Sequence, residues 1–385
     1  MPVVEFLARF SDKMEGLAKL EELYGIKARV YDNFFLLNYS QIDSPKMDPI
    51  VAECRGIILD WDLHVLRRPF DRFFNYGEAG TDKSFDFNGS ICYEKVDGSI
   101  VPVWYNGFDG EWAAGTRGTA FAETECASGR VFSDLITDTL GFTPHYLLAS
   151  AEKMLQVSLN MYTFIFELCT PENRVVTRYP ESFMALLAIR NNVSGRYKSQ
   201  DSIAFFHNLF RHIQITASIP ASIRLPKTYD IYDIDSARFS LKDLDALDEG
   251  YVFYNPKTQD RVKVKNPSYV AIHHIRDNGN MNPRRICDLV FLNETDEYLQ
   301  YFPEDTKFFS PWINAYNEFH RTALEIYEKN KHIESQKEFA LQVKDLPYSG
   351  LLFQMRQGKS FSESINRLHS DKKVDILNSF KGNGE

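Results

Sequence analysis

Hydrophobic positions recur along the chain with two different spacings. The first 25 residues place apolar side chains at helical intervals, and residues 28–38 and 52–59 then carry the β-branched and aromatic residues typical of strands. Beyond about residue 270 the strand pattern ends, and apolar side chains such as Trp312 and Phe319 recur near the helical period. This pattern predicts an α+β fold followed by a helical C-terminal domain.

The most compact polar motif is Lys95-Val96-Asp97-Gly98, which lies between two candidate strands. Ile91 and Tyr93 alternate with polar neighbours before it, and the apolar residues of 101–105 alternate after it. We therefore expect Lys95 where a strand gives way to a turn at Gly98, facing a cleft. Taken alone, such a tetrapeptide more often forms a solvated turn, so the other motifs must decide between the two interpretations.

A carboxylate interrupts the apolar strand predicted at residues 163–169. Glu167 is the one charged side chain in this run. A buried carboxylate without a partner is costly, so Glu167 either lies at the strand end or has a cation, a metal or a hydrogen-bond donor beside it. The second alternative favours a functional site.

A predicted hairpin places two lysines side by side. Glu249-Gly250 opens its first strand, and residues 261–265 form its second strand. A period of two puts the two valines of that second strand on the core face and puts Lys263 and Lys265 together on the other face. Neighbouring lysines repel each other unless an anion lies between them or water screens them. An anion site and a solvated edge strand both remain open.

Several arginines lie where they could contact phosphate. Arg55 comes just ahead of an apolar run, and Arg117 is the cation of a glycine-rich turn at 115–119. Residues 67–75 mix three arginines with three phenylalanines. This mixture fits a phosphate-facing loop and fits equally arginines that cover aromatic surface.

Composition narrows the class of protein. A chain of 385 residues can form two domains, and 30 Phe with 20 Tyr exclude a disordered chain. The formal net charge of −9 argues against a polyanion binder held by overall charge, so any nucleic-acid contact requires a local basic cleft.

Cysteine spacing and hydropathy exclude further classes. The five cysteines are scattered singly without a C-x-x-C pair, so zinc sites and disulfide frameworks are not expected. Charged residues interrupt the N-terminal segment, and no apolar run of about 18 residues occurs. We expect no membrane partner and a cytoplasmic protein.

Taken in chain order, these motifs resemble those of the covalent nucleotidyltransferases, which comprise ATP-dependent DNA ligases, RNA ligases and mRNA capping enzymes. The sequence is most similar to the phage RNA ligase 1 family, the T-even phage type, over roughly residues 28–275 and weakly beyond. The motifs that carry the resemblance are Glu53-Cys54-Arg55-Gly56, Arg68-Pro69 with Phe73-Phe74-Asn75, Lys95-Val96-Asp97-Gly98-Ser99, Phe166-Glu167 with Asn173-Arg174, Glu249-Gly250-Tyr251-Val252, Lys263-Val264-Lys265 and Tyr269-Val270.

The resemblance implies an adenylyltransferase domain of antiparallel sheets with flanking helices at 1–270, and an all-α domain at 271–385 that selects RNA ends. It implies that Lys95 attacks the α-phosphorus of ATP to form lysyl-AMP. AMP would then pass to an RNA 5′-phosphate, from which a 3′-hydroxyl displaces it. Mg²⁺, or alternatively Mn²⁺, is the implied metal. The implied substrate is single-stranded RNA or a nicked tRNA anticodon loop. The implied protein is a monomer, which would act in the host cytoplasm if it is encoded by a phage.

The resemblance also assigns roles to individual residues. Catalysis falls to Lys95, Asp97, Lys263 and Lys265, with Asp97 aligning Lys95. The implied metal ligands are Glu249 and Asp296, although Thr295-Asp296-Glu297 fits the first turn of a helix equally well. The implied nucleotide-binding residues are Arg55, Arg72, Lys95, Arg117, Glu167, Glu249, Lys263, Lys265 and Tyr269.

Three positions depart from the family pattern. Arg72 stands where the family usually has lysine, and Arg117 stands where it often has lysine. The planar guanidinium group is not a simple substitute for an ammonium group. Leu37 stands where the family places a tyrosine, so that contact is not carried over.

Two alternative functions remain. A DNA ligase or capping guanylyltransferase would normally continue into a small β-barrel, which the helical C-terminal pattern does not support. A non-catalytic RNA-end-binding protein is the other.

Overall fold

The computed structural model describes residues 1–78, 81–126, 129–173, 177, 179–245, 248–267, 269–270, 282–301 and 305–381. Arg174, which belongs to one of the family motifs, lies outside these residues. The chain divides into two compact units. The first unit comprises Met1–Ser40 and Ser44–Tyr269, and the second comprises Gln41–Asp43 and Val270–Glu385.

The strands of the described residues all belong to the first unit. They form a sheet of order β1-β2-β3-β4, a sheet of order β10-β9-β8-β6-β7 and a sheet of order β11-β5-β12-β13. Neighbouring strands are antiparallel except for β9 and β10. The strands are β1 Ile26–Val30, β2 Phe34–Tyr39, β3 Arg55–Asp60, β4 Val65–Arg67, β5 Ile91–Glu94, β6 Ser99–Asn106, β7 Glu111–Ala114, β8 Tyr162–Cys169, β9 Phe183–Asn191, β10 Ile223–Arg224, β11 Thr228–Tyr229, β12 Gly250–Tyr254 and β13 Arg261–Lys265.

Helices flank the sheets of the first unit and make up the described part of the second. In the first unit they are α1 Pro2–Leu7, α2 Lys13–Tyr24, α3 Pro49–Glu53, α4 Thr81–Ser84, α5 Phe132–Leu140, α6 Pro144–Leu155, α7 Gln200–Thr216 and α8 Ile234–Ser240, followed by a 3₁₀ turn at Leu241–Asp243. In the second unit they are α9 Pro283–Phe291, α10 Thr295–Tyr301, α11 Thr306–Asn330, α12 Gln336–Val343, α13 Ser349–Arg356, α14 Phe361–Asn366 and α15 Ser370–Asn378.

The first sheet packs against the N-terminal helices through a core that includes Leu7, Phe35 and Ile57. The strand predicted at 52–59 begins only at Arg55, so that prediction is wrong for its first residues. Asp48 accepts a hydrogen bond from the backbone of Ile50, and proline occupies the first helical turn, which are the start signals of helix α3. Arg55 therefore lies at the point where this helix gives way to β3.

Strand β8 is the centre of the second sheet and carries Glu167 on an otherwise apolar strand. It pairs with β6 on one side and β9 on the other, and Phe164 and Phe166 pack against Phe210 of α7. Burial on both sheet faces explains the continuous apolar run of β8. Glu167 is half-buried within it.

The third sheet contains the predicted hairpin. Strands β12 and β13 pair antiparallel, with Tyr251 opposite Val264, and both valines of β13 are buried as predicted. The alternation expected around Lys95 is wrong in phase, because Cys92 is buried against β12 while Tyr93 is only partly buried. Cysteine here behaves as a small apolar core residue.

The second unit packs around Phe319 of α11. Its ring contacts those of Tyr348, Phe361 and Phe380 at centroid distances of 5.2, 5.7 and 5.7 Å. The α+β prediction with a helical C-terminal part is confirmed. Within the described residues, no helix combines the length and the apolar character needed to span a membrane.

Candidate active site

Lys95 directly follows β5, where that strand leaves the third sheet. Glu94 still pairs with Tyr251 of β12, and the backbone N–H of Lys95 donates to the carbonyl of Gly250 at 2.8 Å. Val96 then turns into a small apolar cluster that includes Cys169 of β8. The loop is therefore tied to one sheet through Lys95 and to another through Val96.

Two glycines in the family motifs are required by close approach of backbone. A Cβ on Gly98 would lie 2.4 Å from the carbonyl oxygen of Leu168, so any larger residue would separate this loop from β8. A Cβ on Gly250 would lie 2.3 Å from the carbonyl oxygen of Val264, and Gly250 has φ of +124°. Gly98 thus serves to bring the Lys95 loop against Glu167, which is a different role from the predicted turn.

Asp97 is buried and anchors the loop from the other side. Its carboxylate accepts hydrogen bonds from the hydroxyl of Tyr269 at 3.1 Å and from the backbone N–H of Thr177 at 2.7 Å. Its own backbone N–H donates to the hydroxyl of Tyr179 at 3.1 Å. These bonds fix the backbone two residues after Lys95, so the prediction that Asp97 aligns Lys95 is compatible with its position.

A cavity of about 320 Å³ opens in front of Lys95, which lies within the roughly 300–1,000 Å³ typical of small-molecule sites. We call it the nucleotide cavity, after the ligand that the family resemblance predicts for its residues. Five cations and three carboxylates line it, and apolar side chains such as Val252 cover another part of its wall. The predicted site residues that it brings together are Arg55, Lys95, Glu167, Glu249, Lys263 and Lys265.

Glu249 lies between two of the lysines. Its Oε2 is 2.5 Å from Nζ of Lys95, and its Oε1 is 3.4 Å from Nζ of Lys265. Both lysines and Glu249 are largely buried, so solvent screens these ion pairs weakly. Glu249 is the anion beside Lys265, so Lys265 is not a solvated side chain of an edge strand.

The carboxyl group of Glu167 has a raised pKa. Glu167 is half-buried in the wall of the nucleotide cavity, and this burial raises the pKa of Glu167 to about 7. The positive charge of Lys95 opposes this rise in the pKa, whereas the negative charge of Glu249 adds to it. The carboxyl group therefore changes charge near neutral pH.

Arg72 and Arg117 lie outside the nucleotide cavity. Their guanidinium carbons are 4.4 and 4.3 Å from the centre of the Tyr39 ring, which both groups contact. Arg117 also donates to the side-chain oxygen of Asn38 at 3.0 Å. Burial lowers the pKa of Arg117, and neighbouring Arg55 lowers it further. Tyr39 thus fixes the two arginines that replace the family lysines.

The arginine-rich segment at 67–75 serves several purposes. Arg67 is fully buried and donates to the backbone carbonyls of Gly56 and Thr119 at 2.9 and 3.0 Å, so it is structural. Arg55, ahead of this segment, contacts the ring of Phe73 at 5.3 Å. Its buried Nη1 has no hydrogen-bond partner among the described residues, and a bound phosphate or hydroxyl oxygen would satisfy it.

Sequence reasoning missed part of the cavity wall. Arg261 lines it from the same face of β13 as the two lysines. The alternation of side chains along a strand, which predicts the shared face of Lys263 and Lys265, also predicts that Arg261 lies on that face. Tyr93 and Tyr254 line it as well. Tyr93 was assigned to the opposite strand face, and no motif pointed to Tyr254. Of the remaining predicted residues, Asp97 and Tyr269 are absent from the described wall of the cavity.

Of the two predicted metal ligands, Glu249 lies in the described wall of the nucleotide cavity. No cluster of three or more His, Cys, Asp or Glu side chains suited to a metal occurs among the described residues. Mg²⁺ commonly binds through one or two carboxylates together with substrate phosphates, and Glu249 beside the nucleotide cavity fits that mode. Asp296 lies in the first turn of α10 in the second unit. Its role as a metal ligand stays a prediction.

Comparison with known proteins identifies relatives of this chain. Residues 53–269 match a protein family described as RNA ligase. A protein assigned as a bifunctional polynucleotide kinase/RNA ligase in Autographa californica nuclear polyhedrosis virus is 29% identical over 95% of this chain. The match covers 52% of that relative, so the chain spans about half of its length.

Two further similarities are more distant. An RNA ligase of Rhodothermus phage RM378 is 24% identical, and the match covers 77% of this chain and 76% of the phage protein. A solved archaeal ATP-dependent RNA ligase aligns over the full length of both chains with 11% identity and a TM-score of 0.48.

Proposed function

Because the chain belongs to the RNA ligase family, we propose that it joins RNA 5′-phosphate and 3′-hydroxyl ends at the expense of ATP, with Lys95 as the nucleophile. One observation carries the proposal. Lys95, Glu249, Lys263, Lys265 and Glu167 line one cavity of nucleotide size. A nucleophilic amine surrounded by cations for phosphate is the arrangement that nucleotidyl transfer requires.

In the first step, the Lys95 amine attacks the α-phosphorus of ATP, a P–N bond forms, and pyrophosphate leaves. Nζ of Lys95 is 2.5 Å from Oε2 of Glu249, so this contact must open before the amine can reach the phosphorus. Lys263 and Lys265 would offset the negative charge that develops on the phosphoryl oxygens. Asp97 keeps the loop, and with it Lys95, in place.

Glu249 is the residue that would hold a divalent metal at this cavity, together with the phosphates of ATP. Such an ion supplies charge neutralisation on the phosphoryl oxygens. Mg²⁺ is the proposed ion, with Mn²⁺ as an alternative. Arg55, with its unpaired buried donor, is proposed to contact the nucleotide.

In the later steps, AMP passes from Lys95 to an RNA 5′-phosphate, and a 3′-hydroxyl then displaces AMP to seal the strand. The proposed substrate is single-stranded RNA or a nicked tRNA anticodon loop. We assign adenylyl transfer to the first unit and selection of RNA ends to the helical second unit, in a protein that acts as a monomer in the cytoplasm.

Intact-mass measurement tests the proposal. The protein is incubated with a divalent metal and either ATP or GTP, alongside Lys95→Ala and the exposed control Lys83→Ala. We expect an AMP adduct on the wild type and on Lys83→Ala but none on Lys95→Ala. A GMP adduct would instead indicate a capping guanylyltransferase, and no adduct at all would refute ligation through Lys95.

A joining assay then separates RNA ligation from DNA ligation. Single-stranded RNA with a 5′-phosphate is tested for circularisation beside a nicked DNA duplex. We expect circular RNA with little sealing of the nick. The reverse preference would indicate a DNA ligase.

A further inference from the structure

A second cavity, of about 460 Å³, lies next to the nucleotide cavity in the first unit. We call it the arginine groove. Arg72, Arg190 and Arg261 line it, together with aromatic side chains that include Phe74 and Tyr197.

The arginine groove adjoins the nucleotide cavity. Phe73 and Arg261 belong to the walls of both. On the side of the nucleotide cavity, the ring of Phe73 is 5.4 Å from Nζ of Lys263, which we propose as a phosphate ligand. A ligand that passes Phe73 and Arg261 would therefore reach the reacting phosphorus at Lys95.

Positive charge predominates in the groove. Arg190 is neutralised, because it forms a two-pronged ion pair with Asp71 at 2.8 and 2.5 Å. Arg72 and Arg261 then face Asp260 as the remaining carboxylate of the described wall. The described wall of the groove therefore carries a net charge of +1, in a chain whose formal net charge is −9.

Two of these arginines, Arg72 and Arg261, are held by rings, which leaves their edges available to bind phosphate. The guanidinium carbon of Arg261 is 4.0 Å from the ring centre of Tyr197, and that of Arg72 is 5.2 Å from that of Phe74. Nη1 of Arg72 has no hydrogen-bond partner among the described residues. Arginine stacks through its face and donates to phosphate through its edge. Cations interleaved with rings are typical of sites for single-stranded nucleic acid.

We infer that the arginine groove binds the terminal nucleotides of the 5′-phosphorylated RNA strand, an inference that rests on the proposed ligase function. That strand carries the charged group that must reach Lys95, whereas a 3′-hydroxyl end presents an uncharged group. An oxygen of the RNA 5′-phosphate attacks the α-phosphorus of the AMP on Lys95. The P–N bond breaks, Lys95 leaves as an amine that takes up a proton, and a 5′–5′ pyrophosphate linkage forms.

Ser84 offers a test away from the nucleotide cavity. It is exposed at the end of α4, and it lines the arginine groove but not the nucleotide cavity. Ser84→Glu adds an anion to the groove and Ser84→Lys adds a cation. Ser133→Glu is the matched control, because Ser133 is exposed in the first turn of α5 and lines neither cavity. Thr258→Glu, in the β12–β13 loop, repeats the test from another wall of the groove.

Two measurements separate this inference from the proposed function. Adduct formation with ATP is measured without RNA, and AMP transfer from loaded enzyme is measured at varied concentrations of 5′-phosphorylated, 3′-blocked RNA. We expect wild-type adduct formation throughout. Ser84→Glu and Thr258→Glu should raise the half-saturating RNA concentration about threefold to tenfold, Ser84→Lys should lower it, and Ser133→Glu should leave it unchanged. The differences should shrink at high salt.

Three results would overturn the inference. One is adduct formation and AMP transfer at wild-type levels in all the groove variants, a result that leaves the proposed function standing. The second is an effect confined to the 3′-hydroxyl strand, measured by joining pre-adenylylated RNA to varied concentrations of acceptor. The third is an equal loss in Ser133→Glu. Failure of the wild type to form any adduct would instead refute the ligase function itself.

Discussion

The nucleotide cavity and the arginine groove share Phe73 and Arg261, yet they hold their cations in different ways. In the nucleotide cavity, two lysines contact the carboxylate of Glu249, and such pairs must open when phosphate binds. In the groove, Arg72 and Arg261 lie on aromatic rings and can donate to phosphate from their edges without losing a partner. The difference suits one site to chemistry on a bound nucleotide and the other to holding a strand.

The strongest test of this division is a lysine on the nucleotide side. We expect Lys263→Ala to slow adduct formation about 100-fold to 1,000-fold, because a preorganised cation at the phosphoryl oxygens is lost. Lys257→Ala, an exposed lysine in the loop of the same hairpin, is the control and should behave as wild type. Adduct formation at the wild-type rate in Lys263→Ala would contradict the placement of this side chain on phosphate.

A second test uses the ionisation of Glu167. Its pKa in the folded protein is about 7, above the ordinary 4.5, so the folded state binds the proton more tightly than the unfolded state. The stability that this adds is complete below about pH 4.5 and is lost as the pH rises through 7. Because part of the side chain faces the cavity, the loss should be about 1–3 kcal/mol.

Urea unfolding at pH 5 and pH 8 measures this effect. Glu167→Gln cannot ionise, so its free energy of unfolding should fall less than that of the wild type between the two pH values. Glu111→Gln, an exposed position on β7, should follow the wild type. The same pH dependence in all three proteins would show that Glu167 has an ordinary pKa.

A third test concerns the ring that holds Arg72 and Arg117. Tyr39→Leu removes two cation–ring contacts worth about 0.5–1 kcal/mol each, and we expect ligation to slow about fivefold to tenfold. Tyr39→Phe keeps the ring and should remain near the wild-type rate. Equal losses in both variants would assign the effect to the hydroxyl group, and thermal melting checks that both proteins fold.

The smallest expected effect is at the loop anchor. Tyr269→Phe removes the hydrogen bond to Asp97, which should lower the free energy of unfolding by about 1 kcal/mol and slow adduct formation by less than about tenfold. Tyr146→Phe, at an exposed position on α6, is the control. A loss as large as that of Lys263→Ala would mean that Tyr269 contacts the nucleotide directly.

The two sites also differ in how far sequence could predict them. The nucleotide cavity is built from strand faces and from the Lys95 loop between two strands, so motif order and a period of two located Lys95, Glu167, Lys263 and Lys265. Periodicity alone placed Tyr93 on the wrong face, because Cys92 takes the core position.

The arginine groove escaped prediction for a physical reason. Part of its wall comes from connecting segments such as 71–74 and 258–260, whose side chains follow no period. The family motif predicts Arg72 as a nucleotide ligand. In the structure Arg72 contacts Tyr39, which is distant in sequence, and lines the arginine groove. Only tertiary structure could separate the two sets of cations.

The site of adenylylation is the most direct test of the central claim. The protein is incubated with ATP and Mg²⁺, digested at neutral to mildly alkaline pH because the P–N bond is labile to acid, and its peptides are sequenced by mass spectrometry. We expect AMP on Lys95 alone. AMP on Lys263 or Lys265, or a protein that carries no AMP, would contradict the account.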